Sequence, residues 1–523
     1  MSNNTFDKNT LIGFLLIGAI IVFFSYFNTP EELEEVTTTE EQQVDSAEVV
    51  EEVQDFTDGS KEELVPDTLK PVETGLAGAM NGNAQLITLE NEVMEIGIST
   101  LGGQVVEARL KDFSTYDSLP LYLIRDNASF NLKLEDEKIY NTAELVFNVV
   151  ENSSDELVLQ LDAGDGRSLT YEYKIKPENY LLDWDISSEG LENALGSKPT
   201  MMWEMEAFRT EKNKERENNL TRLKYRYSNE DDVDDLSASG EDQEEAQNLH
   251  WIAYRQQFFS SILLNKQGGF DEAELVSNAY PEENQEYTKY FGSRFLLADN
   301  DEIDADLGLY FGPNKYDILE SYEEDFEELV PLGWGILGWI NRGVVINIFN
   351  WLENYGLNYG LIILALAVII KVVLFPLTYS SYRSMAKMRV LKPEIDEINE
   401  KYKDKDAVKK QQAVMELYSK AGVSPLGGCI PVLFQMPILL ALFNFLPASI
   451  ELRHEPFLWA DDLSTYDSIA QLPFSIPFYG DHVSLFTLLM TVTTLMYTYM
   501  NQQMSGSSNQ QMPQLKYIMY LMP

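Results

Sequence analysis

One cation stands inside a long apolar run. Residues 356–377 read GLNYGLIILALAVIIKVVLFPL, and Lys371 lies near the end, between Ile369-Ile370 and Val372-Val373. Twenty-two residues at helical rise match the hydrocarbon thickness of a bilayer, about 30 Å. A lysine at mid-bilayer costs about 3 kcal/mol on insertion scales, so its presence there is an expectation of function. The chemistry it can supply is electrostatic: attraction of a carboxylate in a medium of low dielectric. The alternative is anchoring. Lys371 is about a turn and a half from the polar stretch 378–383, and its stem can reach the interface. This window leaves both readings open. Other reactive types are sparse. His250, His454 and His482 are far apart and lack metal-ligand spacing. Cys429 is the single cysteine, so no intrachain disulfide can form, and in its apolar run it reads as a packing residue. No nucleotide loop or hydrolytic constellation stands out, and we expect no enzyme activity, no metal and no cofactor.

Charge divides the 523 residues into two regimes. The net charge of −47 comes from 85 Asp/Glu and 38 Lys/Arg. Residues 31–330 hold 70 acids and 23 bases, a balance of −47, and the remainder holds 15 of each. The acidity therefore belongs to one soluble region, which argues against nucleic acid as a direct ligand because phosphate would be repelled.

Residues 11–27 form an apolar run with no small-x-small cleavage site after it, which predicts an uncleaved anchor within 1–30. Residues 31–83 are Glu-rich with almost no aromatics and predict a disordered acidic linker. From 84 to 330 the pattern changes to short alternating or β-branched runs, as in Leu157-Val-Leu-Gln-Leu and Leu169-Thr-Tyr-Glu-Tyr-Lys-Ile, punctuated by glycine turns. That predicts a large antiparallel β-sandwich, interrupted at 211–247 by a charged segment expected to be a loop. Residues 331–354 carry tryptophans at both ends and one polar stripe through Asn341 and Asn347, which suits a helix lying at a membrane interface.

The helical remainder, 355–523, has expected spans at about 356–377, 425–446 and 484–500, and a further one starting at 513–523. Proline and hydroxyl residues within the second and third are tolerated where neighbours or water satisfy the freed polar groups. A polar interior and ordinary interhelical packing both account for them. Between the first two spans, 378–424 is polar and helical, with Met385, Met388, Leu391, Ile395, Ile398 and Tyr402 at steps of three and four and Val408, Met415 and Tyr418 continuing the theme. It predicts a helical hairpin with a narrow seam. The hairpin has ten Lys/Arg, whereas residues 447–483 have Arg453 alone among six acids. The positive-inside rule therefore places the hairpin and N-terminus in the cytoplasm, and the β-domain outside. The chain stops as a new apolar run begins at Tyr517, which reads as a protein continuing beyond Pro523.

Ser384-Met-Ala-Lys-Met-Arg-Val-Leu-Lys-Pro, Val423-Ser-Pro-Leu-Gly-Gly-Cys-Ile-Pro and Gln435-Met-Pro-Ile resemble the YidC/Oxa/Alb family of membrane protein insertases. Trp251-Ile-Ala-Tyr-Arg-Gln-Gln-Phe-Phe and Leu309-Tyr-Phe-Gly-Pro resemble the periplasmic domain of its Gram-negative form. The resemblance implies a multi-spanning α-helical protein of the cell inner membrane, with a periplasmic antiparallel β-sandwich and a cytoplasmic helical hairpin. Its core would enclose a hydrophilic groove closed to the outside, whose cation attracts acidic residues of an incoming segment. That cation is usually arginine, and Lys371 stands at the matching position. Lysine supplies the charge without the planar fork of donors. Two further core helices would lie beyond Pro523.

On this reading Lys371 and Gln435 line the groove, although Gln435 could equally serve interhelical bonding. Met436, Ile438 and Leu439 would flank a hydrophobic exit path. Met388, Ile395 and Ile398 would hold the hairpin where ribosome or targeting factors meet it. The implied partners are nascent membrane proteins, the Sec translocon and the lipid bilayer. The β-domain is expected to be dispensable for basic insertion. A solute transporter and a periplasmic carbohydrate-binding membrane protein remain as alternatives.

Overall fold

The computed structural model describes residues 76–80, 82–135, 139–191, 199–230, 233–281, 283–297, 302–402, 407–422, 430–476 and 480–504. The expected N-terminal anchor, most of the linker, Cys429 and the run from 513 onward lie outside the described residues.

Strands form where the sequence alternates. Leu157, Leu159 and Leu161 are buried on Glu156–Gly164, and Leu169, Tyr171, Tyr173 and Ile175 on its antiparallel partner Arg167–Ile175. Successive side chains of a strand point to opposite faces, so these residues enter one core. Leu86–Glu90, Met94–Ser99, Val105–Ser114 and Pro120–Arg125 make a four-stranded sheet in chain order. A fourteen-stranded sheet carries the rest. Its main path runs Ile139–Asn141, Ala128–Glu135, Thr200–Phe208, Tyr287–Leu296, Phe270–Ala279, Glu241–Arg255, Phe259–Asn265, Asp304–Pro313, Leu181–Glu189, Arg167–Ile175, Glu156–Gly164, Asn148–Asn152. Phe130, on the second strand of that path, meets Trp184, on the ninth, edge-to-face at 5.4 Å. It also stacks on Trp203 at 5.5 Å. The sheet therefore coils over a core of aromatic rings, as the twist of a wide sheet requires, and forms the expected antiparallel sandwich.

Two expectations in this region are corrected. The end of the linker is ordered: Leu76–Ala79 is a helical turn, α1, with Leu76 buried. Residues 211–247 are not a loop. They form α2 (Lys214–Leu220), the strands Arg222–Tyr227 and Val233–Asp235, and the first half of Glu241–Arg255. Leu223 and Tyr225 are fully buried, and Glu241 to Gln247 pair residue by residue with Phe270–Ala279. Backbone hydrogen bonds hold an acidic strand as well as an apolar one, so charge on a water-facing ribbon hid the pattern.

After α3 (Tyr316–Glu320), α4 (Ile336–Ile340) runs through a π turn, Asn341–Val345, into α5 (Ile346–Glu353). This is the expected helix of 331–354, with one correction. The sequence puts Asn341 on a polar stripe; the structure buries it, and its amide donates to Leu332 O at 2.7 Å and Ala441 O at 2.8 Å. Helical periodicity separates two faces but does not say which meets water. Here Ile340, Val345, Phe349 and Leu352 face the protein, and Trp334, Trp339 and Trp351 face outward.

The first expected span is broken. α6 (Tyr359–Val373) and α7 (Phe375–Val390) meet at 55° across Leu374. Pro376 lacks an N–H, and its ring would collide with the Val372 carbonyl in a continued helix. Fifteen residues of α6 rise only about 22 Å. No single described helix is long and apolar enough to cross a membrane, whereas the α6–α7 pair is by length and composition. α8 (Lys392–Lys401) and α9 (Ala407–Lys420) continue the polar segment. α10 (Ile430–Ala448), a hairpin of Ala470–Ile476 and Gly480–Val483, and α11 (Leu485–Met504) complete the described chain.

Candidate functional site

Lys371 lies in the last turn of α6, where the free carbonyls of a helix end favour a cation. Its side chain is exposed. It sits in a shallow, open concavity of about 640 Å³ lined by Leu364, Ala367, Val368, Lys371, Val372 and Phe375. Positions 364, 368, 371 and 375 recur at helical spacing, so the lining is one face of α6 carried across the bend. Lys371 is its only polar side chain, and among the described residues no acid pairs with it. The surroundings are more apolar than a hydrophilic groove would suggest.

Gln435, half-buried on α10, is not part of that lining, so the described structure does not bring the two expected groove residues into one cavity. The exit-path residues divide. Met436 and Leu439 are exposed and with Phe443 form an outward apolar stripe. Ile438 faces the other way and packs against the core. In the hairpin, Met388, Ile395 and Ile398 are each half-buried. Val408 and Met415 are exposed, however, and Val414, Leu417 and Tyr418 take the covered side of α9. α9 starts afresh at Ala407, so its phase does not continue that of α8.

A second polar cluster lies where the β-domain meets the helices. Arg453, in the loop after α10, donates from Nε to Glu211 Oε1 at 2.8 Å and from Nη2 to Thr210 O at 3.3 Å. Both side chains of the pair are almost wholly buried, at 3% and 7% exposure. The guanidinium also lies 5.2 Å from the Phe259 ring centroid. Burial pushes the Glu211 carboxyl up, and Arg453 beside it pulls it back. Removing one member of such a pair strands a buried charge and costs about 3–5 kcal/mol. Behind it, Glu217 accepts from Thr210 N at 2.7 Å, Thr210 Oγ1 at 2.8 Å and Glu211 N at 3.2 Å. Burial pushes the Glu217 carboxyl up to about 8. His454, within 3.4 Å of Ser114 Oγ, is held below the usual imidazole range by burial and by Arg453. The sequence carries a signal for this cluster, since Arg453 is the one Lys/Arg of residues 447–483, but a charge count by itself points only to orientation.

The comparisons with known proteins cover the same two parts. The family described as 60Kd inner membrane protein matches residues 351–523, and the YidC periplasmic domain family matches 86–346. The membrane protein insertase YidC of Parabacteroides distasonis is 40% identical over 554 residues, covering 99% of this chain and 87% of that protein. The chain belongs to the YidC family of membrane protein insertases. The YidC of Bacteroides fragilis is 39% identical over 537 residues, covering 99% of this chain and 86% of its own length. Among solved structures, a galactose mutarotase-like protein from Lactobacillus casei covers 44% of this chain at 10% identity and a TM-score of 0.31, which is too low to bear on function. Membership of the YidC family makes this an inner membrane protein with a periplasmic domain, and the β-sandwich of the fold is that domain.

Proposed function

We propose that this insertase lowers the barrier to a translocating tail by placing Lys371 in a cavity that shortens the dry path across the bilayer. The observation that carries the reading is an exposed ammonium with no acid paired to it among the described residues, surrounded by apolar side chains at the bend of α6 and α7. A carboxylate on the incoming segment supplies the missing partner and loses less solvation in reaching it. Gln435 adds a polar group to the path, and the following apolar segment leaves into lipid along Met436, Ile438 and Leu439. No covalent chemistry is involved; partitioning of the substrate provides the drive, aided by the membrane potential.

The domain limits follow the same scheme: an anchor at 1–30, a linker at 31–83 whose turn Leu76–Ala79 packs on the β-domain, the β-domain at 84–330, the interfacial helix at 331–354 and the insertase core at 355–523. The N-terminus and the hairpin 378–424 are cytoplasmic, and the Met388, Ile395 and Ile398 seam presents the hairpin to ribosome or targeting factors. The insertase works alone or with the Sec translocon as a partner.

The test is protease protection of one-span substrates whose tails carry none, one or two acids, with Lys371→Arg, Lys371→Ala and Lys371→Glu. Two unit charges at 4 Å interact by about 4 kcal/mol at an effective dielectric of 20 and by about 1 kcal/mol in water. Because Lys371 is exposed, the lower end applies before substrate closes the cavity. Arginine is expected to support insertion, alanine to weaken it, and glutamate to fail most on the acidic tails. If Lys371→Glu inserts the two-acid tail as well as the unchanged protein does, Lys371 is an anchor and the charge reading is wrong.

A further inference from the structure

The loop after α10 touches both the β-domain and the helix that carries Lys371. On the β-domain side, Arg453 is bound to Glu211 and Thr210. Four residues later, Phe457 lies against Gly360, so close that a Cβ at 360 would stand 2.1 Å from its ring. Asn358, the N-cap of α6, accepts from Gly360 N at 3.0 Å and donates from its side chain to Pro456 O at 3.0 Å. The outer end of α6 is thus capped by a residue that is itself held by the loop. Phe457 and Ala460 exchange two backbone hydrogen bonds, which make the loop a compact turn, and Ala460 is buried.

We propose that Arg453 is a positioning residue for insertion: it fastens this loop to the periplasmic domain, and the loop in turn fixes the outer end of α6. The β-domain then acts on the membrane core chiefly through this buried ion pair, beside the looser contacts of Lys315 with Glu451 at 3.7 Å and of Ser114 with His454 at 3.4 Å. The proposal departs from the expectation that the β-domain is dispensable for basic insertion, because deleting the domain removes Glu211 and Thr210 together and unfastens the loop. The inference goes beyond the groove reading and would stand if Lys371 only anchored its helix.

The partners dictate the behaviour of variants. Without the guanidinium, Glu211 is left buried beside Glu217 with only Thr210 to bind, so the loop lifts to admit water. A lysine keeps the charge but cannot bridge the Glu211 carboxylate and the Thr210 carbonyl as a fork does. The experiment uses the full-length protein with Cys429→Ser and Ala460→Cys, in right-side-out membrane vesicles for labelling and in inverted vesicles, whose cytoplasmic face is outside, for insertion. Two rates are read: labelling of position 460 by a membrane-impermeant maleimide, and insertion of a one-span substrate by protease protection. Arg453→Ala is expected to raise labelling about tenfold or more, the population change that follows from stranding a buried charge. Insertion is expected to fall several-fold with it. Arg453→Lys should recover part of both, and the swap Arg453→Glu with Glu211→Arg more than either single reversal. Bridging Ser114→Cys and His454→Cys with a short bis-maleimide in the Arg453→Ala protein, without the cysteine at 460, should restore insertion. Fast labelling with undiminished insertion would overturn the proposal, as would an Arg453→Ala protein that stays inactive once bridged. If Arg453→Ala does not accumulate, Glu211→Gln keeps the packing and one hydrogen bond. Labelling and insertion must then shift together by an intermediate amount, and their divergence would refute the role.

Discussion

Replacing Gly360 by alanine tests how tightly the outer loop is seated on α6. The new Cβ would stand 2.1 Å from Phe457 Cγ, 2.2 Å from Cδ2 and 2.7 Å from Cβ, where ordinary contact begins at 3.4 Å. The ring must therefore retreat by more than an ångström, and because the close atoms sit at its root, no rotation of a flexible tip relieves them. Overpacking of this kind costs about 1–3 kcal/mol. Exchanging glycine for alanine within a helix returns about 0.5–1 kcal/mol. The net expectation is a loss centred on about 1 kcal/mol, within a span of about 0–2.5 kcal/mol, in the seating of the loop on α6. The assay is unfolding in detergent followed by tryptophan fluorescence, with two controls. Gly343→Ala meets nothing nearer than Trp339 at 4.0 Å and should be neutral or slightly stabilising. Gly356→Ala lies in open space at φ +63°, so only backbone strain of about 1 kcal/mol applies. Phe457→Ala should relieve the clash, so the double variant should lose less than the sum of the single losses. A Gly360→Ala protein as stable as Gly343→Ala, or strict additivity with Phe457→Ala, would refute the contact.

Glu217 makes stability depend on pH. Its folded pKa of about 8 lies above the ordinary 4.5, so the unfolded chain releases that proton first. Between those values stability falls as pH rises, by up to about 1.4 kcal/mol per unit, and Glu211, shifted the same way by burial, adds to the slope. Urea unfolding at pH 5, 6.5 and 8 should show the decline, and Glu217→Gln should flatten it; an unchanged slope in that variant would assign the effect to other groups. In the hairpin, replacing Met388, Ile395 and Ile398 together by serine should abolish insertion while leaving the protein in the membrane. Each is half-buried, and if the proposed seam holds each adds about 1 kcal/mol or more of packing, which protease sensitivity of the hairpin would report. Normal insertion by that triple variant would remove the hairpin from the mechanism.

Much of this protein is legible in one dimension. Strand alternation from Leu157 to Ile175 depends on a period of two that each strand carries by itself, and it reappears as buried leucines and tyrosines in register. The apolar run around Lys371, the tryptophans flanking 331–354 and the family motifs are local too, so the sequence could yield the β-sandwich, the helical remainder and family membership. It could not say which side of a helix meets which neighbour. Asn341 shares its periodicity with water-facing residues, and the arrival of α10, with a carbonyl at Ala441 beside that of Leu332, supplies the second acceptor for its buried NH2 group. Acidic residues 241–247 read as a loop because composition reports the exposed face, whereas their partner strand Phe270–Ala279 supplies the hydrogen bonds that order them. The bend at Leu374 was foreshadowed by Pro376, yet the 55° angle belongs to the packing of α6 and α7. Arg453 and Glu211 are 242 positions apart, and neither carries a local mark of the other. A buried ion pair exists only when both charges are withdrawn from water together, and the docking of the periplasmic domain on the outer loop decides that.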